Sequence, residues 1–330
     1  MNKKICFLAN FNLVRGSFRV HVRDLNLYLN QINVNSVINP SNINDYDIII
    51  IDKALLNNIV TYREKYKNKI LIGITPSRNW NYHKYLDYAI VGSIEEKNSI
   101  IEYYKKIFIL PQIESMYFNK NTKIHKHKDK ITIGYHGNSV HLNSLVNGCC
   151  QALEKLSKET QIELLVFKSQ LASNTYWTEG VPKINIKYKQ WNLNTIATDL
   201  LDIDIGIVPY FSESKNNLSN DTTKGKYNTD YMLRFKNKSN PGRCLVFYQL
   251  KIPVIADMVP SNMYILNNTD NGYAVCGEAG WYNAFKELLD VKKREFISDN
   301  AYNDFKEKYN PLEWTKKFIT ELSNDLNMLS

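Results

Sequence analysis

The chain has 330 residues, 44% of them hydrophobic and 12% aromatic, which is too long for one compact core and a natural length for two domains. Its 42 Lys and Arg against 33 Asp and Glu leave a formal charge of +9, which favours anionic partners such as nucleotide phosphates or an anionic lipid surface, and equally fits a Lys-rich solvated surface, because the basic residues are spread along the chain. Five Cys without a CxxC spacing exclude a disulfide framework or zinc site, no apolar stretch approaches the ~18 residues of a membrane span, and residues 1–9 are too short for a signal sequence, so a cytoplasmic protein is expected, at most resting on the inner face of a membrane.

In chain order, residues 4–10 are a short apolar run expected as a buried strand. A loop with Arg15, Gly16 and Ser17 follows, then helical spacing through Val22, Leu25, Leu29 and Ile32. Runs at 48–51, 70–74, 88–91 and 107–110 read as strands buried on both faces, two of them closed by Pro76 and Pro111. Residues 119–130, NKNTKIHKHKDK, are polar and basic with no apolar period, so 122–130 is expected to be an interdomain linker with His125 and His127 solvated. Alternation restarts with a strand at 131–135, a loop through His136, Gly137, Asn138 and Ser139, and a helix over 142–156. Strands follow at 162–167, 184–188, 204–209 and 253–256, with a polar exposed loop at 212–228. A helix through Leu312, Trp314, Phe318, Ile319, Leu322 and Leu326 closes the chain.

Strands alternating with helices imply βαβ units and parallel sheets. The fold class is therefore α/β, with two doubly wound, Rossmann-like domains facing a cleft: 1–121, the linker 122–130, and 131–310, followed by the helix 311–330. Ligands of such sheets bind beyond the carboxyl ends of the strands, where helix N-termini carry about half a positive charge and suit a diphosphate. Asp45-x-Asp47 and Asp202-x-Asp204 precede apolar runs and read as turn residues, so neither is taken as a metal pair.

The stretch 236–256, KNKSNPGRCLVFYQLKIPVIA, carries the clearest chemistry. Lys236, Lys238 and Arg243, with Ser239, Asn240 and Gly242, stand at the mouth of a helix, where Arg243 can bind two phosphate oxygens in a fork and Gly242 admits close backbone approach. The alternative is a helix start with incidental surface lysines. This stretch resembles the GT-B glycosyltransferases, especially family-four-like enzymes: Pro241-x-Arg243 is similar to their Pro-x-Lys, Phe247 to the aromatic after their Glu, and residues 253–256, PVIA, to their strand. Lys238 and Val246 occupy the two places of their Glu-x7-Glu motif, and Lys251 stands where Gly is usual. The resemblance continues in order along the chain. Gly134-Tyr135-His136-Gly137 looks like the donor-proximal turn, and Asp204 through Tyr210 like the Asp-Ile-Gly-Leu-x-Pro strand. Pro260-Ser261-Asn262 looks like the loop that meets the nucleotide, Arg15-Gly16-Ser17 like the glycine loop bordering acceptor and phosphates, and the helix 311–330 with Trp314 like the one that packs back on the first domain.

The resemblance implies an acceptor domain followed by a donor domain, and a transferase moving a sugar from a nucleotide-diphosphate donor to a glycan, lipid-linked or protein acceptor in bacterial surface glycan assembly. It implies no cofactor and no metal, with Arg243 and Lys238 stabilising the leaving diphosphate. For an inverting reaction His21 and Asp24 are candidate bases, His21 having a plain surface position as its alternative. His136 is a candidate donor ligand or a plain loop residue, and Asn138 belongs to the same turn. The missing Glu pair keeps a catalytically inactive nucleotide-sugar-binding or scaffold subunit open. No Gly-x-Gly-x-x-Gly supports a dehydrogenase, and no basic recognition helix supports nucleic-acid binding.

Overall fold

The computed structural model describes residues 3–76, 80–168, 177–210 and 241–327. The loop at 212–228 and Lys236, Lys238, Ser239 and Asn240 lie outside these residues. The chain divides into two compact units, one running to Ser115 and resuming at Tyr309, the other Met116–Lys308.

In the first unit, β1 (Ile5–Leu8), β2 (Ser36–Ile38), β3 (Ile48–Ile51), β4 (Ile70–Ile74), β5 (Tyr88–Val91) and β6 (Ile107–Ile109) form a parallel sheet in the order β2-β1-β3-β4-β5-β6. Successive residues of a strand point to opposite faces, and here both faces are covered. Ile5, Phe7, Ile48 and Ile50 enter one core, while Cys6, Leu8, Ile49 and Ile51 enter the other. That is why these strands are unbroken apolar runs. The helix Pro311–Asn327 adds Phe318, Ile319, Leu322 and Leu326 to the first of these cores, with the Phe318 ring edge-on to Phe108 at 5.0 Å. Tyr88 ties it down by donating to Asp325 at 2.6 Å.

In the second unit, β7 (Lys130–His136), β8 (Gln161–Lys168), β9 (Asn185–Gln190), β10 (Ile205–Val208), β11 (Val254–Asp257) and β12 (Tyr273–Val275) form a parallel sheet in the order β12-β11-β10-β7-β8-β9. The helix Gly242–Gln249 is apolar almost all round, and all eight of its residues are buried. Gly206 of β10 lets it approach, since a Cβ there would stand 2.7 Å from the Phe247 ring. The expected architecture of two doubly wound parallel sheets is thus present.

Three details differ from the sequence reading. The strands Ser36–Ile38 and Tyr273–Val275 were not expected, because three residues are too few to set a period. The helix expected over 142–156 is a 3-10 segment Ser139–Asn147 and an α-helix Cys149–Leu156. They break at Gly148, whose φ is +110° and whose Cβ would lie 2.3 Å from the Glu278 nitrogen. The segment 122–130 is bound into the second unit where a solvated linker was expected. Lys123 and Lys128 both pair with Asp204, and His125 Nε2 lies 3.0 Å from the Lys251 carbonyl. His125 is 6% exposed, so it is not the solvated residue its Lys-rich surroundings suggested.

Candidate functional site

In a doubly wound sheet the ligand crevice opens where the strand order reverses, at the carboxyl ends. In the second sheet that point lies between β7 and β10, because β8 follows on one side of β7 and β10 on the other. The loops leaving these strands carry Gly137 and Asn138 on one side and Tyr210 on the other, and the helix Gly242–Gln249 brings in Arg243.

Arg243 is 7% exposed. Its guanidinium carbon lies 4.7 Å from the centroid of the Tyr210 ring and 5.3 Å from that of Tyr135. Nη1 donates to the Tyr135 hydroxyl at 2.8 Å. That hydroxyl donates in turn to the Asn138 carbonyl at 2.6 Å, which fixes the turn after β7. Nη2 is buried without a hydrogen-bond partner, and among the described residues no carboxylate pairs with this cation. A buried charge in that state is costly, by several kcal/mol, and two ring faces recover only about 1–2 kcal/mol each. An anion bound against Nη2 would offset that cost.

Gly137 completes the close packing. Its φ is +132°, and a Cβ would stand 3.1 Å from the Tyr135 hydroxyl and 3.4 Å from Arg243 Cδ. Burial raises the phenols of Tyr135 and Tyr210, the cation between them lowering both in part, so each stays protonated. The Tyr210 N–H donates to Asp257 Oδ2 at 2.6 Å, and Asp257 Oδ1 accepts from Trp281 at 3.2 Å. Asp257 and Trp281 were not singled out from the sequence. The signal for Asp257 was a carboxylate ending a buried strand at the carboxyl edge.

No family model and no curated protein matches the chain. Solved structures do. Sucrose-phosphate synthase from Thermosynechococcus elongatus aligns over 100% of both chains with a TM-score of 0.68 at 11% identity. Anabaena HepE in complex with UDP and glucose aligns over 98% of this chain and 100% of its own, with a TM-score of 0.64 at 11% identity. A candidate UDP-N-acetylglucosamine 2-epimerase from Listeria monocytogenes aligns over 99% and 98%, with a TM-score of 0.53 at 10% identity.

The chain has the GT-B fold. Of the positions that resembled GT-B motifs, Arg243, Gly137, Asn138 and Tyr210 meet at the β7/β10 edge, with Gly242 one residue before Arg243 and His136 ending β7. The His136 ring stands edge-on to Phe247 at 5.1 Å, and the Asn138 side chain caps the 3-10 segment by accepting from the Val140 N–H. Gly134 has a packing reason to be glycine, since its Cβ would fall 2.2 Å from the Ile203 side chain. Pro260, Ser261 and Asn262 begin the helix after β11, where Asn262 is fully buried, donates to the Asp257 carbonyl and accepts from the Cys244 thiol. Val246, in the place of the GT-B Glu, is 1% exposed in the helix. Lys251, in the place of the GT-B Gly, has φ +54°. The bonds Lys251 N–H to Tyr248 and Ile252 N–H to Phe247 make a Schellman turn there, which explains why glycine is usual at that position.

The remaining candidates belong to the first unit. Arg15 is exposed and precedes the helical turn Gly16–Phe18, which contains Ser17. The π-helical turn Arg19–Asp24 follows. Buried Arg19 pairs with Glu114 and donates to the Leu13 and Val14 carbonyls, which fixes the loop ahead of it. His21 is 2% exposed, so it is not a surface residue. Neither of its ring nitrogens has a hydrogen-bond partner, and it lines a cavity of about 30 Å³ with Tyr28, Pro111 and Trp314, room for one or two waters. Burial, with Lys53 adding to it, pushes its pKa down to about 3, so it is neutral and only weakly basic. The Asp24 carboxylate is committed on both oxygens, to Arg23 at 2.6 Å and to the Ser115 N–H at 3.0 Å.

The Asp-x-Asp carboxylates lie near the amino ends of strands and have local partners. Asp47 accepts from the Lys4 N–H, Asp45 from Asn42, Asp202 from Lys189, and Asp204 from Lys128 and the Thr132 N–H. No described helix is long and apolar enough to cross a membrane.

Proposed function

We propose that the chain is a glycosyltransferase whose second unit holds a nucleoside-diphosphate sugar at the β7/β10 edge. The observation that carries this reading is Arg243, a buried guanidinium without a described carboxylate partner at the switch point of a doubly wound sheet. As the bond from the sugar to the diphosphate breaks, negative charge grows on the leaving oxygens, and a cation already in place stabilises it. The acceptor hydroxyl forms the new bond to the sugar and gives up its proton. His21, buried with its pKa pushed down to about 3, and Asp24, committed on both oxygens, are poor receivers for it, so we take a departing diphosphate oxygen as the group that accepts it. Arg243 supplies charge where other transferases use a divalent ion, so turnover is expected to persist in EDTA.

The fold by itself does not select the reaction, since a GT-B scaffold hosts several chemistries. HepE, whose structure holds UDP and glucose, supports UDP as the first nucleotide to try. We take the acceptor to be a glycan, a lipid-linked sugar or a protein in bacterial surface glycan assembly, at the cytoplasmic face where nucleotide sugars are available. Val246 in the place of the family Glu favours a second reading, a nucleotide-sugar-binding subunit without turnover.

A thermal-shift screen of nucleoside diphosphates and their sugars, followed by mass spectrometry of products, separates the two. A shift with product supports the transferase, and a shift without product supports the binding subunit. Arg243→Ala is expected to weaken diphosphate binding at least tenfold, the worth of one charge-assisted contact. Undiminished affinity for every nucleotide in that variant refutes both readings.

A further inference from the structure

We propose that Tyr135 is a positioning residue for the diphosphate, acting by holding Arg243 in place without neutralising it. The inference rests on the reading of Arg243 as the diphosphate ligand.

Tyr135 is completely buried, at the carboxyl end of β7, where its neighbours are fixed by the sheet. Its single hydroxyl proton is committed to the Asn138 carbonyl at 2.6 Å. Towards Arg243 Nη1, at 2.8 Å, the phenol oxygen can therefore only accept. A neutral acceptor satisfies one arm of the guanidinium and leaves its full charge for a ligand. A carboxylate in the same place would hold the arm more strongly and cancel the charge. The Tyr210 ring, 4.7 Å from the guanidinium carbon, closes another side, and the Tyr210 backbone is itself anchored to Asp257. The side chain is thus ordered before any ligand arrives, so less freedom is lost on binding. Gly137 is part of the same device, because a Cβ there would press on both the Tyr135 hydroxyl and Arg243.

The test is a double-mutant cycle on the full chain. Wild type, Tyr135→Phe, Arg243→Ala and the double variant are titrated by calorimetry with UDP and GDP, and with uridine and guanosine. Tyr135→Phe keeps the ring and removes the hydroxyl. It is expected to weaken diphosphate binding about tenfold while nucleoside affinity stays within twofold. In the Arg243→Ala background the same substitution is expected to change diphosphate affinity by less than about twofold, because the group it positions is gone. An equal loss in both backgrounds means that Tyr135 acts through the turn and overturns the proposal. Wild-type diphosphate affinity in Tyr135→Phe also overturns it, and a simultaneous loss in Arg243→Ala would leave the diphosphate reading standing. Wild-type affinity in Arg243→Ala removes both. If Tyr135→Phe does not fold, Arg243→Lys reads the same contact: it keeps the charge but not the planar fork, and is expected to bind diphosphate about tenfold more weakly. Unchanged affinity there overturns the proposal.

Discussion

Acidification should destabilise the protein through His125. Its Nε2 faces the Lys251 carbonyl at 3.0 Å and so carries the proton, while Nδ1 is buried without a partner. Protonating Nδ1 would place a charge in a site already near Arg294 and Lys123. Burial first, then those two cations, hold its pKa down at about 4 despite the Lys251 carbonyl, against an ordinary 6.5. The unfolded chain therefore takes up a proton near pH 6.5, whereas the folded chain does so only near pH 4. Between these values the unfolded state binds more protons, so stability falls as pH falls through that window and levels off below it. A difference of about 2.5 pH units at roughly 1.4 kcal/mol each gives about 3.5 kcal/mol in full, of which about 3 kcal/mol is lost between pH 7 and pH 4. His125→Gln keeps an N–H donor for Lys251 and does not titrate. The stability difference between wild type and this variant, from urea unfolding at pH 7, 5.5 and 4, should shift by about 3 kcal/mol in favour of the variant as the pH drops. NMR of the imidazole, assigned by its loss in His125→Gln, should show no titration above pH 5. A constant difference across the range, or a titration near 6.5, would refute the burial argument.

Gln249 is 4% exposed and both ends of its amide lack a partner, so Gln249→Leu is expected to stabilise the fold by about 1 kcal/mol, a rise in Tm of a few degrees by calorimetry, and a fall in Tm would count against it. Gly134→Ala is expected to cost about 1–3 kcal/mol by overpacking against Ile203, and the double variant with Ile203→Ala should be less destabilised than the sum of the singles by at least about 1 kcal/mol. Strict additivity in chemical denaturation would mean that Gly134 is constrained by something other than Ile203.

The strands at 48–51, 70–74 and 88–91 could be read from the sequence because burial on both faces makes the composition of each strand its own signal. Ser36–Ile38 and Tyr273–Val275 could not, since their place is fixed by pairing with β1 and β11 and not by local pattern. The place of Arg243 just inside a helix start could be read from the sequence, and the helix Gly242–Gln249 has it there. The clamp around Arg243 could not: Tyr135 reads as one more apolar residue of a strand, and its hydroxyl gains meaning only when β7 is set beside the helix Gly242–Gln249. His125 was misread for a similar reason. A Lys-rich segment looks solvated until Asp204 and the Lys251 carbonyl, 79 and 126 positions away in sequence, are brought against it.

The two ends of β10 make the case for the site by contrast. At the amino end Asp204 is fully buried, and burial works against its charge. Lys128, the Thr132 N–H and Lys123 outweigh that and hold its carboxyl below the usual range. At the carboxyl end Tyr210 stacks on Arg243, which is nearly as buried and whose hydrogen-bond and ring contacts among the described residues are to neutral groups. Both charges are almost wholly buried, one just before β10 and one on the helix packed against it, so both carry a desolvation cost. A fold selected for stability alone would treat them alike, by pairing or by replacement with an apolar residue. Among the described residues Asp204 has two counter-ions, whereas Arg243 has a phenol and ring faces, which orient a cation without neutralising it. That asymmetry runs along the strand direction, towards the edge where doubly wound sheets bind their ligands. It is the arrangement the proposed diphosphate site calls for.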